Sequence, residues 1–276
     1  MNEQNQLNDR TFKKYQQLIY NEVGINLADH KKTLVQSRLR KWLGKYGVST
    51  YEDLYKMIED DKTDQMLIML VNAITTNVTS FFREENQWLY LKNKLFEIVD
   101  QKQKRIRIWS AACSSGQEPY TIMIFLHENI PDFDMWDIKI LATDISEEIL
   151  QKAIKGEYTQ KDVEGLPKGM IKKYFIESFN EKGIKIYSII DELKKHITFR
   201  IFNLVTGDFK IFKNKFDMIF CRNVMIYFDR ATQSTLLEHY AKLLDKHSRL
   251  FIGHSESIHN KNETYKMVIP SIYQIR

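Results

Sequence analysis

Three polar residues that could support chemistry follow a mostly apolar run late in the chain. Residues 216–219 are predicted to form a buried strand, and Arg222, Asn223 and Tyr227 come soon after it. Ligands of open α/β sheets bind at the carboxyl ends of the strands. Guanidinium, amide and phenol groups at that edge can hydrogen-bond a cofactor or a carboxylate. The sequence therefore predicts a functional site there.

A loop of small residues follows an earlier predicted strand. The strand is Arg105–Trp109, and the segment Ser110–Tyr120 contains Ser, Ala, Cys and a single Gly before a helix predicted from Gln117. Small residues let the backbone approach a ligand, and the helix start points free amides at it. The loop matches neither the GxGxxG nor the GxxxxGK[ST] pattern, which bind phosphates. A cofactor without phosphate, such as S-adenosylmethionine, fits this loop.

An acidic residue ends the second predicted strand of the same block. Asp144 follows the run 138–142, and an acid this far past the loop can accept hydrogen bonds from both ribose hydroxyls. The alternative is that Asp144 caps the helix predicted from Ser146. Asn203 and Leu204 follow a third predicted strand, where the adenine edge of a nucleoside could be bound.

Strands and helices alternate from about residue 100, which predicts an α/β fold with a Rossmann-like parallel sheet. Two short runs, 265–269 and 272–275, are separated by Pro270 and Ser271 and predict a terminal antiparallel hairpin. This combination is an architecture of methyltransferases by analogy. Two further β-like runs around residues 180–183 predict an inserted small β-subdomain at about 173–195.

The amino-terminal part has a different character. Phe12, Tyr15 and Ile19 recur at helical spacing, and no strand pattern appears before residue 75. We predict an all-helical domain over 1–75, a linker helix over 76–100 that includes Arg83, and a methyltransferase domain over 101–276.

Composition limits the class of protein. The chain has 276 residues with 43% hydrophobic and 28% charged residues, which is typical of soluble globular proteins. No apolar run approaches the ~20 residues of a membrane span, and the start of the chain lacks a signal-peptide core. Cys113 and Cys221 form neither a disulfide framework nor a zinc pattern. We predict a cytoplasmic monomer without bound metal or membrane insertion.

A basic segment lies in the helical part. Six cationic residues and no acidic residue occur between positions 31 and 45, in a chain of net charge +5. Such a segment could meet nucleic acid, an anionic membrane or an acidic protein surface, or it could be only a solvated helix face.

Four segments resemble the signature blocks of the CheR-type chemotaxis receptor glutamate methyltransferases. They are 75–84, 110–120, 220–228 and 253–257, and the resemblance extends from about residue 10 to 275. One departure is Gln117, where members often carry a second acid before the proline. The resemblance implies methyl transfer from S-adenosylmethionine to glutamate γ-carboxylates of chemoreceptors, which produces methyl esters.

The resemblance also implies roles for individual residues. Arg83 and Tyr227 are the implied catalytic residues, with Arg83 positioning the substrate carboxylate and Tyr227 hydrogen-bonding it. Arg83 is also one of the implied cofactor contacts. The others are Asn77 and Thr79, Glu118 at the methionine moiety, Asp144 at the ribose, and Asn203, Leu204, Arg222 and Asn223 at the adenine end and the pocket floor. The implied contacts to the Glu-rich receptor helices are Lys31, Arg38, Arg40, Lys41 and Lys45.

Two other functions were weighed. A methyltransferase acting on nucleic acid or on another acidic protein would suit the basic segment. However, the chain lacks the Asp/Asn-Pro-Pro-Tyr/Phe string of amino-group methyltransferases, and neither Cys follows a Pro. A non-catalytic adaptor on the same fold is disfavoured because Arg83, Asp144, Asn223 and Tyr227 are all present. We therefore expect no nucleic-acid partner.

Overall fold

A computed structural model describes residues 6–75, 78–258 and 263–276. Asn77, one of the predicted cofactor residues, lies outside these ranges. The described chain divides into two compact units. The first contains the residues up to Val78 together with Asn203–Thr206 and Tyr227–Gln233, and the second contains the remaining residues from Thr79 onward.

The first unit is built mainly from helices, which confirms the predicted all-helical amino-terminal domain. They are α1 (Asp9–Val23), α2 (Lys32–Tyr46), α3 (Tyr51–Glu59) and α4 (Gln65–Ile74). The Asn8 side chain caps α1 by accepting a hydrogen bond from the Thr11 amide, and Gly24 ends the helix with φ of +68°. Apolar residues at helical spacing form the core of this unit, among them Tyr15, Leu39, Leu54 and Leu70.

The second unit contains a large sheet, a small sheet and the helices around them. The strands are β1 (Arg105–Ala111), β2 (Asp137–Asp144), β3 (Glu157–Thr159), β4 (Phe175–Phe179), β5 (Lys185–Ile189), β6 (Ile197–Ile201), β7 (Phe216–Cys221), β8 (Leu244–Ile252), β9 (Tyr265–Ile269) and β10 (Ile272–Ile275). The helices are α5 (Glu85–Ile98), α6 (Gln117–Asn129), α7 (Glu147–Lys155), α8 (Gln160–Val163), α9 (Lys168–Tyr174), α10 (Asp191–Lys194) and α11 (Arg230–Leu243), whose first turn belongs to the first unit.

The large sheet has the strand order β6-β2-β1-β7-β8-β10-β9. Strands β6, β2, β1, β7 and β8 are parallel, and β9 and β10 add an antiparallel hairpin at the β8 edge. This topology confirms the predicted Rossmann-like sheet with its terminal hairpin. The loops that follow β1, β2, β7 and β8 therefore meet at one edge of the sheet.

The small sheet has the order β3-β5-β4 and is antiparallel. Sequence analysis predicted two strands here and missed β3, because three residues are too few to show a period. It also placed the start of the first β-like run at Lys173, which lies in α9. Pairing with β5, rather than local pattern, decides that Glu157–Thr159 is extended.

The segment that carries Arg83 precedes a helix. Helix α5 begins at Glu85, whereas Phe82 and Glu84 have φ of +50° and +65°, which no helix accommodates. Arg83 therefore lies in an irregular segment before α5, not within the predicted linker helix. Within the described ranges, no helix combines the length and the apolar composition that crossing a bilayer requires.

Candidate cofactor and active site

Asp144 joins two loops at the carboxyl edge of the large sheet. Its carboxylate accepts hydrogen bonds from the backbone amide of Ser114 at 2.9 Å and from that of Ser146 at 3.1 Å. The side chain is half-buried, and burial raises the pKa of the Asp144 carboxyl, against the opposing effect of these amides. The α7 cap is Ser146, whose hydroxyl accepts from the Ile149 amide, so Asp144 is not the residue that caps this helix.

The loop after β1 is tightly packed at Gly116. This residue has φ of +93°, and a Cβ there would lie 3.0 Å from the Ala153 side chain and 3.0 Å from the Tyr158 hydroxyl. That hydroxyl donates to the Ser115 carbonyl at 2.9 Å and fixes the turn. Gly116 is also the N-cap of α6 and supplies no side-chain cap to it. The first amides of α6 therefore lack a side-chain partner at their cap.

Glu118, on the first turn of α6, is held by two buried groups. Its Oε1 accepts from the Ser110 hydroxyl at 2.6 Å, and its Oε2 accepts from Arg222 Nε at 2.7 Å. Both Glu118 and Arg222 are buried. The predicted contact between Glu118 and the cofactor therefore involves a carboxylate that is already fixed by β1 and by the residue after β7.

Arg222 connects this carboxylate to the segment before α5. Its Nη1 donates to the Arg83 carbonyl at 2.8 Å and to Gln87 Oε1 at 3.3 Å, and its guanidinium carbon lies 5.6 Å from the Trp88 ring centre. The Trp88 indole N–H donates to the same Arg83 carbonyl at 2.9 Å. Arg222 thus contacts protein groups and fixes the backbone that carries Arg83.

The two phenylalanines before Arg83 anchor this segment to the core. The Phe81 ring packs against Tyr158 and Phe175, with ring centres 4.9 and 5.5 Å away. The Phe82 amide donates to the Thr121 hydroxyl at 3.2 Å. With Phe81 buried, the Phe82 amide bonded and its own carbonyl held by two donors, Arg83 has a fixed backbone, while its side chain and that of Thr79 are half-exposed.

The loop after β7 is organised by a carboxylate from the loop after β8. The amides of Asn223 and Gly253 donate to Glu256 Oε2 at 2.9 and 2.5 Å, and the Ile226 amide donates to Oε1 at 3.1 Å. Asn223 has φ of +60°, and a Cβ on Gly253 would lie 2.5 Å from its Nδ2. Glu256 is buried, which raises the pKa of its carboxyl despite these amides.

Three other predicted residues lie in the first unit. The Tyr227 carbonyl accepts from the Asn26 amide at 2.8 Å, and Lys31 Nζ lies 5.9 Å from the centre of the Tyr227 ring. Asn203 accepts from the amides of Val205 and Thr206 and donates to the Glu22 carbonyl, so its amide shapes the turn. Leu204 is buried. The first unit therefore brings together Tyr227, a predicted catalytic residue, and Lys31, a predicted receptor contact.

The predicted receptor contacts do not all share one face of α2. Arg38, Lys41 and Lys45 are exposed and spaced by three and four residues, which places them in one stripe. Lys31, just before α2, is in line with this stripe. Arg40 is also exposed but two positions from Arg38, and it lies on another side of the helix. The stripe that we call the α2 cationic stripe is Lys31, Arg38, Lys41 and Lys45.

Comparison with known proteins decides the family. Residues 77–273 match the model described as the CheR methyltransferase SAM-binding domain, and residues 10–75 match the CheR methyltransferase all-alpha domain. This chain belongs to the CheR methyltransferase family. It is 40% identical over 264 residues to the chemotaxis protein methyltransferase of Borreliella burgdorferi, covering 93% of this chain and 91% of the relative. The chemotaxis protein methyltransferase of Escherichia coli K12 is 32% identical over 277 residues, covering 100% and 94%.

Family membership makes the chain a SAM-dependent methyltransferase, where SAM is S-adenosylmethionine. The charges at the site suit this cofactor, which carries a sulfonium and an ammonium group. Glu84 and Glu118 both face the single guanidinium of Arg222, at 3.7 and 2.7 Å. Glu84 Oε2 is buried and has no hydrogen-bond donor in the part of the chain that the structure describes. An unsatisfied buried carboxylate oxygen favours a cationic donor such as the cofactor ammonium.

Sequence reasoning missed three residues of this CheR site. Glu84 and Glu256 lie inside two of the recognised segments, so the signal was present, but neither was given a role. Gln87 was not singled out by any pattern. It is buried, and its Nε2 donates to the Ile252 carbonyl at 2.7 Å.

The two cysteines are buried. Cys113 and Cys221 are free thiols, and burial raises the pKa of each. Within residues 6–75, 78–258 and 263–276, no three His, Cys, Asp or Glu side chains are grouped to hold a metal ion.

Proposed function

We propose that this CheR-family enzyme transfers the methyl group of SAM to glutamate γ-carboxylates of methyl-accepting chemoreceptors. The observation that carries the proposal is the match of both domains, over nearly the whole chain, to relatives named chemotaxis protein methyltransferases. The loop after β1, with Asp144 beside it, supplies a place for a nucleoside cofactor at the edge of the sheet.

The reaction needs little acid–base catalysis. SAM supplies an electrophilic methyl group on a sulfonium. A glutamate γ-carboxylate, with a reference pKa of about 4.3, is already ionised at neutral pH. One of its oxygens forms a bond to the methyl carbon as the carbon–sulfur bond breaks, and the electron pair of that bond remains on sulfur. No proton moves, so the task of the protein is to hold the two groups in line at about 3 Å.

We assign the cofactor in the first place to Asp144, Glu84 and Glu118. Asp144 accepts hydrogen bonds from the ribose hydroxyls, because its carboxylate is fixed by two loop amides and still has free lone pairs. Glu84 and Glu118 face the methionine moiety, and Arg222 prevents these two carboxylates from repelling each other. Thr79, Asn223, Asn77, Asn203 and Leu204 remain assigned to the cofactor on the sequence motifs alone.

We assign the substrate to Arg83 and, separately, to Tyr227, in each case on the sequence motifs alone. A guanidinium can hold one carboxylate oxygen in place by a charge-assisted hydrogen bond. Too strong a contact would lower the nucleophilicity of the carboxylate, so Arg83 positions it rather than activates it. The phenol of Tyr227 donates to a carboxylate oxygen and leaves the other oxygen to attack.

The α2 cationic stripe is proposed to capture the receptor. Receptor methylation regions are helical and rich in Glu, and a row of exposed cations complements such a surface. Lys31 belongs to this row and also lies beside the Tyr227 ring within the first unit. The row would therefore direct a glutamate-bearing helix toward the proposed catalytic tyrosine.

The test is methylation of purified chemoreceptor cytoplasmic fragments with methyl-labelled SAM, followed by mapping of the esterified residues. The matched control is the same fragment with its candidate glutamates changed to glutamine, which removes the nucleophile and preserves the shape. Base-labile label on glutamate in the first fragment and its loss in the second are expected. Label on nucleic acid, or on no receptor residue, would contradict the proposal.

A further inference from the structure

A second cleft lies in the second unit, away from the candidate active site. It has a volume of about 600 Å³ and is lined by the start of β8, the ends of the β9–β10 hairpin and α5. Because β8 is parallel to β7, its start lies at the amino edge of the sheet. The loops that carry Asp144, Glu118 and Asn223 lie at the carboxyl edge. The cleft is therefore distinct from the cofactor site.

The lining of this cleft is strongly cationic. It includes the side chains of Lys246, Arg249, Lys266 and Arg276, and its single acidic side chain is that of Glu97. Glu97 already pairs with Lys94 at 2.6 Å. In the described part of the chain, none of the four cations forms an ion pair with a carboxylate. Like charges grouped without counter-charges repel one another, and a bound anion would relieve this repulsion.

Arg249 is the one buried residue among these four cations, with 8% of its surface exposed. Its Nε donates to the Tyr90 hydroxyl at 2.8 Å, and its Nη1 donates to the carbonyls of His247 and Ser248 at 2.7 and 3.1 Å. All three acceptors are uncharged. Its Nη2 has no hydrogen-bond or ion-pair partner in residues 6–75, 78–258 and 263–276.

These contacts fix the plane of the Arg249 guanidinium and leave its Nη2 without an acceptor among the described residues. A buried charge without a counter-charge is costly, and proteins commonly pair it or bind a ligand to it. A fixed guanidinium also loses little freedom when it binds an anion, which favours recognition of tetrahedral oxyanions. Lys246 and Lys266 are exposed, so they add positive charge to the cleft but no fixed hydrogen-bonding geometry.

We propose that this cleft binds a small phosphate-bearing molecule of about the size of a nucleoside diphosphate. The volume falls within the range of about 300–1,000 Å³ that is usual for small-molecule sites and exceeds the needs of one phosphate. Arg249 and the lysines bind the phosphates, and Ile275 offers an apolar wall for the rest of the ligand. The four cations line one cleft of limited volume, which suits a compact polyanion better than an extended acidic segment.

The test uses the full-length protein with its cofactor pocket saturated by S-adenosylhomocysteine. Binding of ADP is measured by titration calorimetry, with adenosine as the uncharged control and a glutamate-rich peptide as the acidic control. We expect ADP to bind under these conditions, adenosine and the peptide not to bind, and the ADP affinity to fall with rising ionic strength.

Two variants assign the ADP to the cleft. Lys266 faces Gln274 across the hairpin and is exposed, so Lys266→Gln preserves the fold and should weaken ADP binding several-fold. Arg249→Met retains the apolar part of the side chain and should weaken ADP binding by about tenfold or more. The matched control is Lys195→Gln, an exposed lysine next to β6, at the opposite edge of the sheet. It should leave ADP affinity unchanged.

Four results would overturn the proposal. One is the absence of ADP binding at millimolar concentration. Another is loss of ADP binding when S-adenosylhomocysteine is added, which would place ADP in the cofactor pocket. A third is an equal effect of Lys266→Gln and Lys195→Gln. The fourth is tighter binding of the acidic peptide than of ADP. Because Lys266 and Lys195 are both exposed, the comparison holds even if Arg249→Met fails to fold.

Discussion

Removal of the Glu256 carboxylate should disorder the loop that carries Asn223. This carboxylate accepts backbone hydrogen bonds from Asn223, Gly253 and Ile226, and the Met225 amide also donates to it. In Glu256→Ala these amides lose their acceptor at a buried or partly buried place. An unsatisfied buried donor costs about 1–3 kcal/mol, so the free energy of unfolding should fall by roughly 3–6 kcal/mol, with relaxation of the loop reducing the upper end.

The conservative variant separates charge from shape. Glutamine has one amide oxygen, whereas Glu256 Oε2 accepts from Asn223 and Gly253 and Oε1 accepts from Ile226. Glu256→Gln can therefore keep the bonds from Asn223 and Gly253 and lose the one from Ile226. We expect it to cost about 1–3 kcal/mol, clearly less than Glu256→Ala.

The assay is urea unfolding of both variants, together with cofactor affinity by calorimetry. Ser255→Ala is the matched control, because this neighbouring side chain is exposed and its loss should change stability by less than about 0.5 kcal/mol. Because Glu256 also fixes Asn223, we expect Glu256→Ala to weaken cofactor binding, which a purely local loss of stability would not do. Equal stability of Glu256→Ala and Ser255→Ala, with unchanged cofactor affinity, would refute the reasoning.

Three other predictions concern the proposed function. Arg83→Ala should lower methyl transfer by on the order of 10²-fold while cofactor binding, measured by calorimetry, persists; near-normal turnover would exclude Arg83 from catalysis. Asp144→Asn should weaken SAM binding. Because burial raises the pKa of the Asp144 carboxyl, the affinity of the unaltered protein should fall as the pH drops through that raised value, an acid limb that the Asn variant should lack. Lys41→Ala should raise the KM for receptor fragments at low salt, and this effect should fade at high salt. The control Arg40→Ala, on another side of α2, should change the KM less. Equal effects of the two variants would exclude a role of the α2 cationic stripe in receptor binding.

The fold was largely predictable because its main signals are local. Alternation of apolar strands and amphipathic helices predicted the Rossmann-like sheet, and Pro270 with Ser271 indicated the terminal hairpin. Strand β3 and the irregular segment before α5 were not predictable in this way. The first is extended because it pairs with β5, and the second has left-handed residues at Phe82 and Glu84 that only tertiary contacts can hold.

The candidate site shows the same division. Residue types and spacing indicated Asp144, Arg222 and Asn223, since each ends or follows a predicted strand, and the family resemblance added Glu118. The partners of these residues were not indicated: Glu256, for example, is 33 residues from Asn223 along the chain. Hydrogen bonds over such separations depend on strand order, which no local pattern encodes.

The sequence by itself determined the family and the cofactor class and indicated several of the polar residues at the sheet edge, because those properties reside in short segments. The tertiary structure decided which of these side chains are accessible to a ligand and which are buried and fix the position of other residues. Arg222 and Glu118 became a buried pair that fixes the Arg83 backbone. Arg249, unremarked in the sequence, became a buried cation without a carboxylate partner in the described residues. Burial and pairing of charges are properties of the folded chain, because they depend on groups that are distant in sequence.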